Sequence, residues 1–417
     1  MRIIFFLVLS TLVRRIDCYP EPGATNASCL ARNCKWAPPS KDDPPGTPSC
    51  YQQTDQIGYL ALQIPGRGNT YALTKRNQVD SPWGNGIPAL TLEVIDLGKG
   101  VTNVKIYPAY APNIRYDPGP LLNFPREVVD GNENLTVVVD TDSSPFSFSV
   151  QRSDGRKLFD TSIGGLIFAE QFIQIATLLP SENMYGWGEN VHMNLKHDFS
   201  QYTAWGMLDS DDAPDTSGAF VKQALYGVHP FYLVIENDGK AHGVFFLNSN
   251  AQDVTTIPAP GLVYRTIGGN LDMYFFPGPS PSDVIRQYHA FIGRPFLPAY
   301  WALGYQLCRY GYKNLTDMKT RVEAVRKAQI PFDVAYADID YMKKDEDFTV
   351  ADNWAGFGDY VKELQKENMR SILIFDHAIG VDYGSFQRAR AQGVGFIEWE
   401  RDNEVPKEIQ GMYQYAN

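Results

Sequence analysis

The sequence predicts a multidomain protein: a small cysteine-stapled module, an antiparallel β-sandwich, and then strand–helix units that begin a parallel sheet. Three observations support this prediction. Four cysteines cluster near the N-terminus, short alternating runs fill the middle of the chain, and apolar runs alternate with helical spacing near its end. At 417 residues the chain is long enough for two or three domains with large apolar cores.

The composition describes an acidic protein and argues against nucleic acid as a partner. Lys and Arg number 37 against 48 Asp and Glu, which gives a formal net charge of -11. Nucleic-acid binding needs basic stripes that displace counterions from phosphates. Aromatic residues make up 13% of the chain, and packing in a β-sandwich accounts for them more simply than stacking on sugar rings.

The first residues have the pattern of a secretory signal peptide, which we assign to residues 1–13. Arg2 gives a positive start, and residues 3–13 form an apolar run. This run is shorter than the ~20 residues that a transmembrane helix needs, so membrane association is not indicated. A buried core segment and a mis-joined first exon are the alternatives, because no small-x-small cleavage site follows. Sequons agree with the secretory route and predict glycosylation at Asn26, Asn134 and Asn314.

Four of the five cysteines, Cys18, Cys29, Cys34 and Cys50, lie close together among Pro, Gly and Asn residues. Beside a signal peptide, this clustering predicts a disulfide-stapled module that is too small for a large core. Zinc is the alternative, but no histidine is nearby and no Cys-x-x-Cys spacing occurs. The spacing alone leaves three disulfide pairings open. Cys308 is expected to be a buried free thiol without a catalytic role.

The middle region, residues 54–298, is predicted to be an antiparallel β-sandwich because its short runs alternate with period two. A hairpin turn is expected at 236–239. Helical spacing returns at 281–291, with Ser282 as the expected N-cap. The clearest strand candidates are 90–95, 135–139, 146–150, 230–235 and 243–247.

The last region, residues 299–417, alternates strands and helices as a βα barrel or a doubly wound sheet does. The second strand ends at Asp338 and Asp340, at the edge where such folds place their functional groups. Three strands leave a barrel unfinished, so we expect the chain to be incomplete. The expected strands are 300–310, 332–337 and 372–377, and the helices between them are 315–328 and 359–366.

Several motifs together resemble one known family. The most specific are Tyr-Trp-Ala-Leu-Gly-Tyr-Gln-Leu-Cys-Arg-Tyr-Gly-Tyr at 300–312 and Asp-Ile-Asp-Tyr-Met at 338–342, preceded by Met-Tyr-Gly-Trp-Gly-Glu-Asn at 184–190. They resemble glycoside hydrolase family 31, in its animal α-glucosidase branch. The cysteine module resembles a trefoil (P-type) domain. The resemblance implies a trefoil at 14–53, a galactose-mutarotase-like sandwich at 54–298, and the first three units of an incomplete (β/α)8 TIM barrel at 299–417.

The trefoil resemblance also implies a disulfide pairing. The family commonly pairs six cysteines first to fifth, second to fourth and third to sixth. Here Lys35 stands at the fifth position and no cysteine precedes Cys18, so two bonding partners are missing together. The resemblance therefore implies the pairs Cys18–Cys34 and Cys29–Cys50.

The family resemblance implies a substrate site for a terminal α-linked glucose of a maltose-like oligosaccharide, with no cofactor and no metal. Asp338 matches the aspartate that binds sugar hydroxyls, Ile339 and Ile379 match apolar pocket walls, and Tyr310 matches an adjacent aromatic position. Asp211 aligns with a loop aspartate that reaches over the barrel mouth, although its acidic surroundings also suit a solvated loop. Carboxylates accept hydrogen bonds from sugar hydroxyls, and apolar walls take the ring's C–H face.

Family members hydrolyse by retention, using a nucleophile in a Trp-x-Asp-Met-Asn-Glu motif and an acid from a later segment. Neither has a counterpart here, since the similar stretch at 399–404 has the wrong spacing. We therefore expect the 417-residue chain to be inactive in hydrolysis. A non-catalytic carbohydrate-binding or trefoil-type interaction protein is the alternative function. The resemblance implies an extracellular, cell-surface or lysosomal location.

Overall fold

A computed structural model describes residues 14–76, 86–110, 115–129, 133–210, 224–376, 379–396 and 407. The chain divides into two units, Met1–Pro295 and Phe296–Asn417. The expected signal peptide at 1–13 lies outside the described residues. Among the helices of the described ranges, none has the length and apolarity that crossing a membrane requires.

The N-terminal part of the first unit is a small module around two disulfides, Cys18–Cys34 and Cys29–Cys50. These are the pairs that the trefoil resemblance implies. The four half-cystines are buried and form the module's own small core, so cross-links replace apolar packing here. Its elements are helix α1 at Asn26–Ala31 and the paired strands β1 at Lys35–Trp36 and β2 at Cys50–Tyr51.

This module packs against the rest of the first unit through polar and apolar contacts. The backbone N–H of Arg15 donates to the hydroxyl of Tyr202 at 3.1 Å. The buried amide of Gln174 donates to Gln52 Oε1 at 3.0 Å. Ile16 is buried in a small cluster with apolar residues of the sandwich. The trefoil-like module and the sandwich therefore share one unit.

The remainder of the first unit is built from two antiparallel sheets, as the period-two pattern predicted. The strands are β3 Tyr59–Gln63, β4 Thr70–Lys75, β5 Ala89–Gly98, β6 Val101–Pro108, β7 Leu135–Asp140, β8 Ser147–Arg152, β9 Lys157–Asp160, β10 Ile167–Phe168, β11 Ile173–Leu178, β12 Asn183–Gly188, β13 Thr203–Met207, β14 His229–Ile235, β15 Ala241–Phe246, β16 Gln252–Ile257, β17 Gly261–Thr266 and β18 Leu271–Phe276. One sheet has the order β13-β16-β17-β11-β9-β8-β7, with β10 also paired to β11, and the other has the order β12-β14-β15-β18-β6-β5-β4-β3.

The inner faces of both sheets form one apolar core that contains Trp187, Trp205 and Tyr232. On the edge strand β7 only alternate residues are partly buried, as expected for a strand with one solvated face. The central strands β15 and β18 are buried at every position, so a second layer covers their outer face.

That second layer is helix α2, at Pro281–Ile292, which places Val284, Tyr288 and Phe291 in a separate apolar cluster with the outer faces of β14, β15 and β18. The helix begins two residues earlier than the expected cap suggests. Ser280, not Ser282, is the N-cap. The prediction of Ser282 was wrong because Pro281 suits the first helical position, which shifts the capping role to the residue before it.

The second unit contains three short parallel strands joined by helices. The strands β19 Gln306–Leu307, β20 Val334–Ala337 and β21 Arg370–Leu373 pair in that order, and the helices are α3 Leu315–Lys327, α4 Phe357–Lys366 and α5 Gly384–Ala391. The core contains Met318 and Val322 of α3, Leu364 of α4 and the buried side of β20. The parallel order, with a helix between successive strands, agrees with the first units of a βα barrel.

Three expectations for this unit were wrong. The third strand lies at Arg370–Leu373 and not at 372–377, so residues 374–376 follow it. The run at 300–310 is not one strand: Tyr300–Leu303 forms a 3₁₀ turn, in which Gly304 N–H donates to Trp301 O at 3.2 Å. The turn satisfies this backbone locally, so only two residues enter the sheet. Cys308 is exposed rather than buried, because it follows β19 instead of lying within it.

Candidate functional site

The carboxyl ends of the three parallel strands meet at one edge of the sheet in the second unit. Gln306 pairs with Val334, which in turn pairs with Arg370, so the residues that follow each strand emerge side by side. In parallel βα folds this edge carries the binding and catalytic groups. The site is built from the segments after β19, β20 and β21.

Asp338 follows β20 directly and is half-buried. The backbone N–H of Ile339 donates to its Oδ1 at 2.8 Å, so Asp338 caps the 3₁₀ turn at Ile339–Tyr341. A carboxylate has about four lone-pair sites, and this contact uses one of them. Asp338 is thus fixed in position and keeps acceptor capacity for hydroxyl groups.

Cys308 lies close enough to Asp338 to sense its charge. Partial burial of the sulfur raises the pKa of the Cys308 thiol, and the negative Asp338 carboxylate raises it further. A raised pKa keeps the sulfur protonated near neutral pH, which makes it a poor nucleophile. The absence of a catalytic role for Cys308 stays a prediction.

Asp340 fixes the segment after β19. Its Oδ2 accepts the backbone N–H of Gly311 at 2.9 Å, at a position where the φ of +99° favours glycine. The preceding residue, Tyr310, has 71% of its surface exposed. Asp340 therefore has a structural role beside Asp338, and it holds the chain that carries Tyr310.

The segment after β21 is held by groups that follow β20. The hydroxyl of Tyr341 donates to Ile374 O at 3.0 Å, and the backbone N–H of Asp376 donates to Asp347 Oδ1 at 3.1 Å. Asp347 is 2% exposed, which is rare for a carboxylate. Sequence reasoning missed Asp347, because it ends a run of charged residues at 343–347 that looks like a solvated loop.

Family models match three successive parts of the chain. The trefoil (P-type) domain matches residues 11–53, the glycosyl hydrolase 31 N-terminal galactose mutarotase-like domain matches 120–254, and the glycosyl hydrolases family 31 TIM-barrel domain matches 295–416. The chain belongs to glycoside hydrolase family 31. The fold classes expected for its three parts are therefore confirmed, including the partial barrel.

Curated relatives of this family 31 chain are longer proteins. It is 38% identical over 402 residues to human intestinal sucrase-isomaltase, a match that covers 94% of this chain and 21% of that protein. It is 36% identical over 371 residues to mouse lysosomal α-glucosidase, covering 88% of this chain and 38% of that protein. The chain thus spans about a fifth of the first of these relatives and about two fifths of the second.

Solved family 31 structures share the fold. The α subunit of glucosidase II with Glc1Man2 bound has a TM-score of 0.59 at 17% identity, covering 82% of this chain and 46% of that one. A dextranase from Flavobacterium johnsoniae, complexed with glucose, has a TM-score of 0.58 at 20% identity, covering 81% and 40%. At these identities the likeness supports the fold.

The expected site residues of this family 31 chain divide into two groups. Asp338, Ile339, Tyr310 and Ile379 all follow strands of the parallel sheet, and the first three lie on segments fixed by Asp338 and Asp340. Ile339 packs against the core of the second unit, and Ile379 is half-buried. Asp211 lies outside the described residues, and so does the 399–404 stretch.

The remaining expected sites of the family 31 chain concern metal and glycans. Within the described ranges, the ligand atoms close enough to hold a metal are those of Cys18, Cys34 and Cys50, and all three are in disulfides. The sequon residues Asn26 and Asn134 are exposed. Asn314 is half-buried and caps α3, since its Oδ1 accepts the N–H of Asp317 at 2.9 Å. Glycosylation at all three stays a prediction.

Proposed function

We propose that this chain is part of an α-glucosidase that hydrolyses with retention. The chain recognises the terminal non-reducing α-linked glucose of maltose-like oligosaccharides. The observation that carries the proposal is Asp338, a half-buried carboxylate fixed at the end of a central parallel strand. Carboxylates there accept hydrogen bonds from vicinal hydroxyls. Ile339 and Ile379 supply apolar surface, and Tyr310 an exposed aromatic ring, for the C–H face of the sugar.

The proposal separates binding from cleavage. Retaining hydrolysis needs two carboxyl groups about 5–5.5 Å apart, one as nucleophile and one as acid. The Trp-x-Asp-Met-Asn-Glu motif that carries the family nucleophile does not occur in the 417 residues. The chain is therefore proposed to bind the sugar without cleaving it, and the catalytic pair to lie outside this sequence.

The binding half of the proposal is tested with maltose and purified 417-residue chain. Titration calorimetry or saturation-transfer NMR should detect maltose but not lactose, because a site built for one set of hydroxyls leaves polar groups unpaired with the other. Asp338→Ala should weaken maltose binding at least about tenfold, the loss of one hydrogen bond to a charged group. Asp345→Asn, which removes an exposed carboxylate nearby, is the control. Equal affinity of D338A and wild type would refute the site.

The cleavage half is tested with a nitrophenyl α-glucoside. The chain should release no nitrophenol above the background rate, because it has no nucleophile motif. Turnover would show that another carboxylate performs the reaction.

A non-catalytic carbohydrate-binding role is the second candidate, and the missing nucleophile motif favours it. The two functions differ in what the messenger RNA encodes after Asn417. An in-frame Trp-x-Asp-Met-Asn-Glu motif there supports the glucosidase and contradicts the second candidate.

Location follows in part from the same features. The disulfide-bonded module fits an oxidising compartment, so the protein is consistent with the secretory pathway. Within that pathway, we propose the cell exterior, the cell surface or the lysosome as its site of action.

A further inference from the structure

We propose that Asp347 is a positioning residue for the sugar site, which holds the segment after β21 and thereby the apolar wall at Ile379. The inference rests on the proposed function, since it names a residue needed for sugar affinity that makes no contact with the sugar itself. It concerns the loop at 342–351, which joins the turn after Asp338 to the rest of the second unit.

The 342–351 loop has an unusual backbone that is fixed from several sides. Lys344, Asp345 and Phe348 have φ values of 55°, 58° and 64°, in the left-handed region that non-glycine residues rarely adopt. The hydroxyl of Thr349 accepts from Lys343 N at 2.9 Å and donates to Glu346 O at 2.6 Å. Such strain persists where the surroundings determine the conformation, and it often marks a functional constraint.

This conformation turns two consecutive side chains towards the segment after β21. Asp347 is buried, and its Oδ1 accepts the backbone N–H of Asp376 at 3.1 Å. Phe348 stacks on Phe375, with ring centroids 5.3 Å apart and planes at 29°. A third contact comes from the Tyr341 hydroxyl to Ile374 O at 3.0 Å. Residues 374–376 are thus each held by a group from 341–348.

The same stretch of chain carries Asp338 at its start. Asp338 caps the turn at Ile339–Tyr341, and Tyr341 and Asp347 then fix the neighbouring strand's exit. Ile379 follows Asp376 by three residues. The segment that begins at Asp338 therefore holds residues 374–376, which precede Ile379 in the chain, and Asp347 is one of its three contacts there.

The experiment compares four forms of the 417-residue chain: wild type, Asp347→Ala, Asp347→Asn and Asp345→Asn. Asp345 is exposed, and its backbone φ lies in the left-handed region, which asparagine also adopts readily. D345N therefore removes a carboxylate from the same loop without disturbing the backbone. Hydrogen exchange is measured over 371–380 and, as a reference, over helix α3. Maltose affinity is measured on the same samples.

We expect D347A to speed exchange in 371–380 by about tenfold with α3 unchanged, because a hydrogen bond to a charged acceptor is lost. Maltose affinity should fall by about tenfold as well. D347N keeps an acceptor oxygen at the same place. Its exchange rate over 371–380 and its maltose affinity should therefore lie between those of D347A and wild type. D345N should stay within about twofold of wild type in both.

The possible failures are distinct. A wild-type chain without maltose affinity contradicts the proposed function, and the assignment of Asp347 falls with it. A wild-type chain that binds maltose, with D347A binding equally well, contradicts the assignment alone. Faster exchange that extends equally to α3 would mean general destabilisation and would also overturn it.

Discussion

Glu236 is a buried carboxylate of the first unit with three basic partners, and its side chain has no exposed surface. Its carboxylate accepts from Arg152 Nε at 2.9 Å, from His242 Nδ1 at 3.1 Å and from an Arg156 guanidinium nitrogen at 3.2 Å. Burial would raise the pKa of Glu236, but the hydrogen bonds and charges of His242 and Arg152 outweigh burial and lower it to about 2. The network is therefore built around the ionised carboxylate.

This lowered pKa makes stability depend on acidity in a defined direction. The ordinary pKa of an unfolded glutamate is about 4.3, above the folded value. Glu236 thus contributes its full stabilisation above about pH 4.3, and the contribution is lost as the pH falls towards about 2.

Replacing Glu236 by Gln should destabilise the first unit by about 3 kcal/mol at pH 7, because the buried Arg152 then lacks a counter-charge. Urea unfolding measures the loss, and the difference in stability between E236Q and wild type should narrow as the pH falls from about 4.3 towards about 2. Asp238→Asn is the matched control. Asp238 pairs with Arg156 at the surface, where solvent screens the pair, so this change should leave the urea midpoint close to that of the wild type. An equal loss of stability in the two variants would show that the buried ion pair contributes no more than the surface ion pair.

Among the secondary-structure elements, helix α2 has the clearest local signal. Ser280 Oγ accepts the N–H of Asp283 at 3.1 Å, and Asp283 Oδ2 accepts the N–H of Ser280 at 3.1 Å. This reciprocal capping box satisfies two backbone donors that the first turn would otherwise leave unpaired.

Substituting Ser280 by Ala should lower the free energy of unfolding by about 1 kcal/mol, the usual value of an N-cap side chain. Ser282→Ala is the control, since Ser282 is exposed in the first turn and alanine is a good helix former. Thermal and urea unfolding should rank S282A with wild type and S280A below both. The reverse order would mean that the helix begins where the sequence alone suggested.

The sequence predicted correctly the elements whose residue pattern reflects burial. Its predictions failed where contacts with distant parts of the chain determine the local structure. The hairpin turn at 236–239 is present between β14 and β15, where Gly239 N–H donates to Glu236 O at 2.9 Å. The run at 300–310 was misassigned because apolar character does not distinguish a strand from a turn that lacks a pairing partner. Asp347 could not be found, since nothing in five successive charged residues marks the one that turns inward.

On the scale of the whole molecule, the first unit combines a covalently held module with a sandwich that has a large apolar core. Cys29–Cys50 joins residues 21 apart in the sequence, and the module has little other core. Cross-links of this span stabilise mainly by restricting the unfolded chain.

The double substitution Cys29→Ser and Cys50→Ser should destabilise the module by about 3 kcal/mol. Limited proteolysis should then cut within 14–53 while the sandwich stays intact. Cys308→Ser serves as the control, because this thiol is exposed and forms no disulfide. Its substitution should change the free energy of unfolding by no more than about 0.5 kcal/mol. Cleavage inside the sandwich at the same rate would show that the two parts unfold together.

Helix α2 has a practical consequence for anyone who wishes to prepare the sandwich separately. The last strand of the sandwich ends at Phe276, which suggests a fragment boundary at that residue. However, Phe231, Phe245 and Phe276 pack against helix α2. A polypeptide cut at that point would present these rings to water and be prone to precipitation during expression. Keeping residues through Ile292 should yield a soluble fragment.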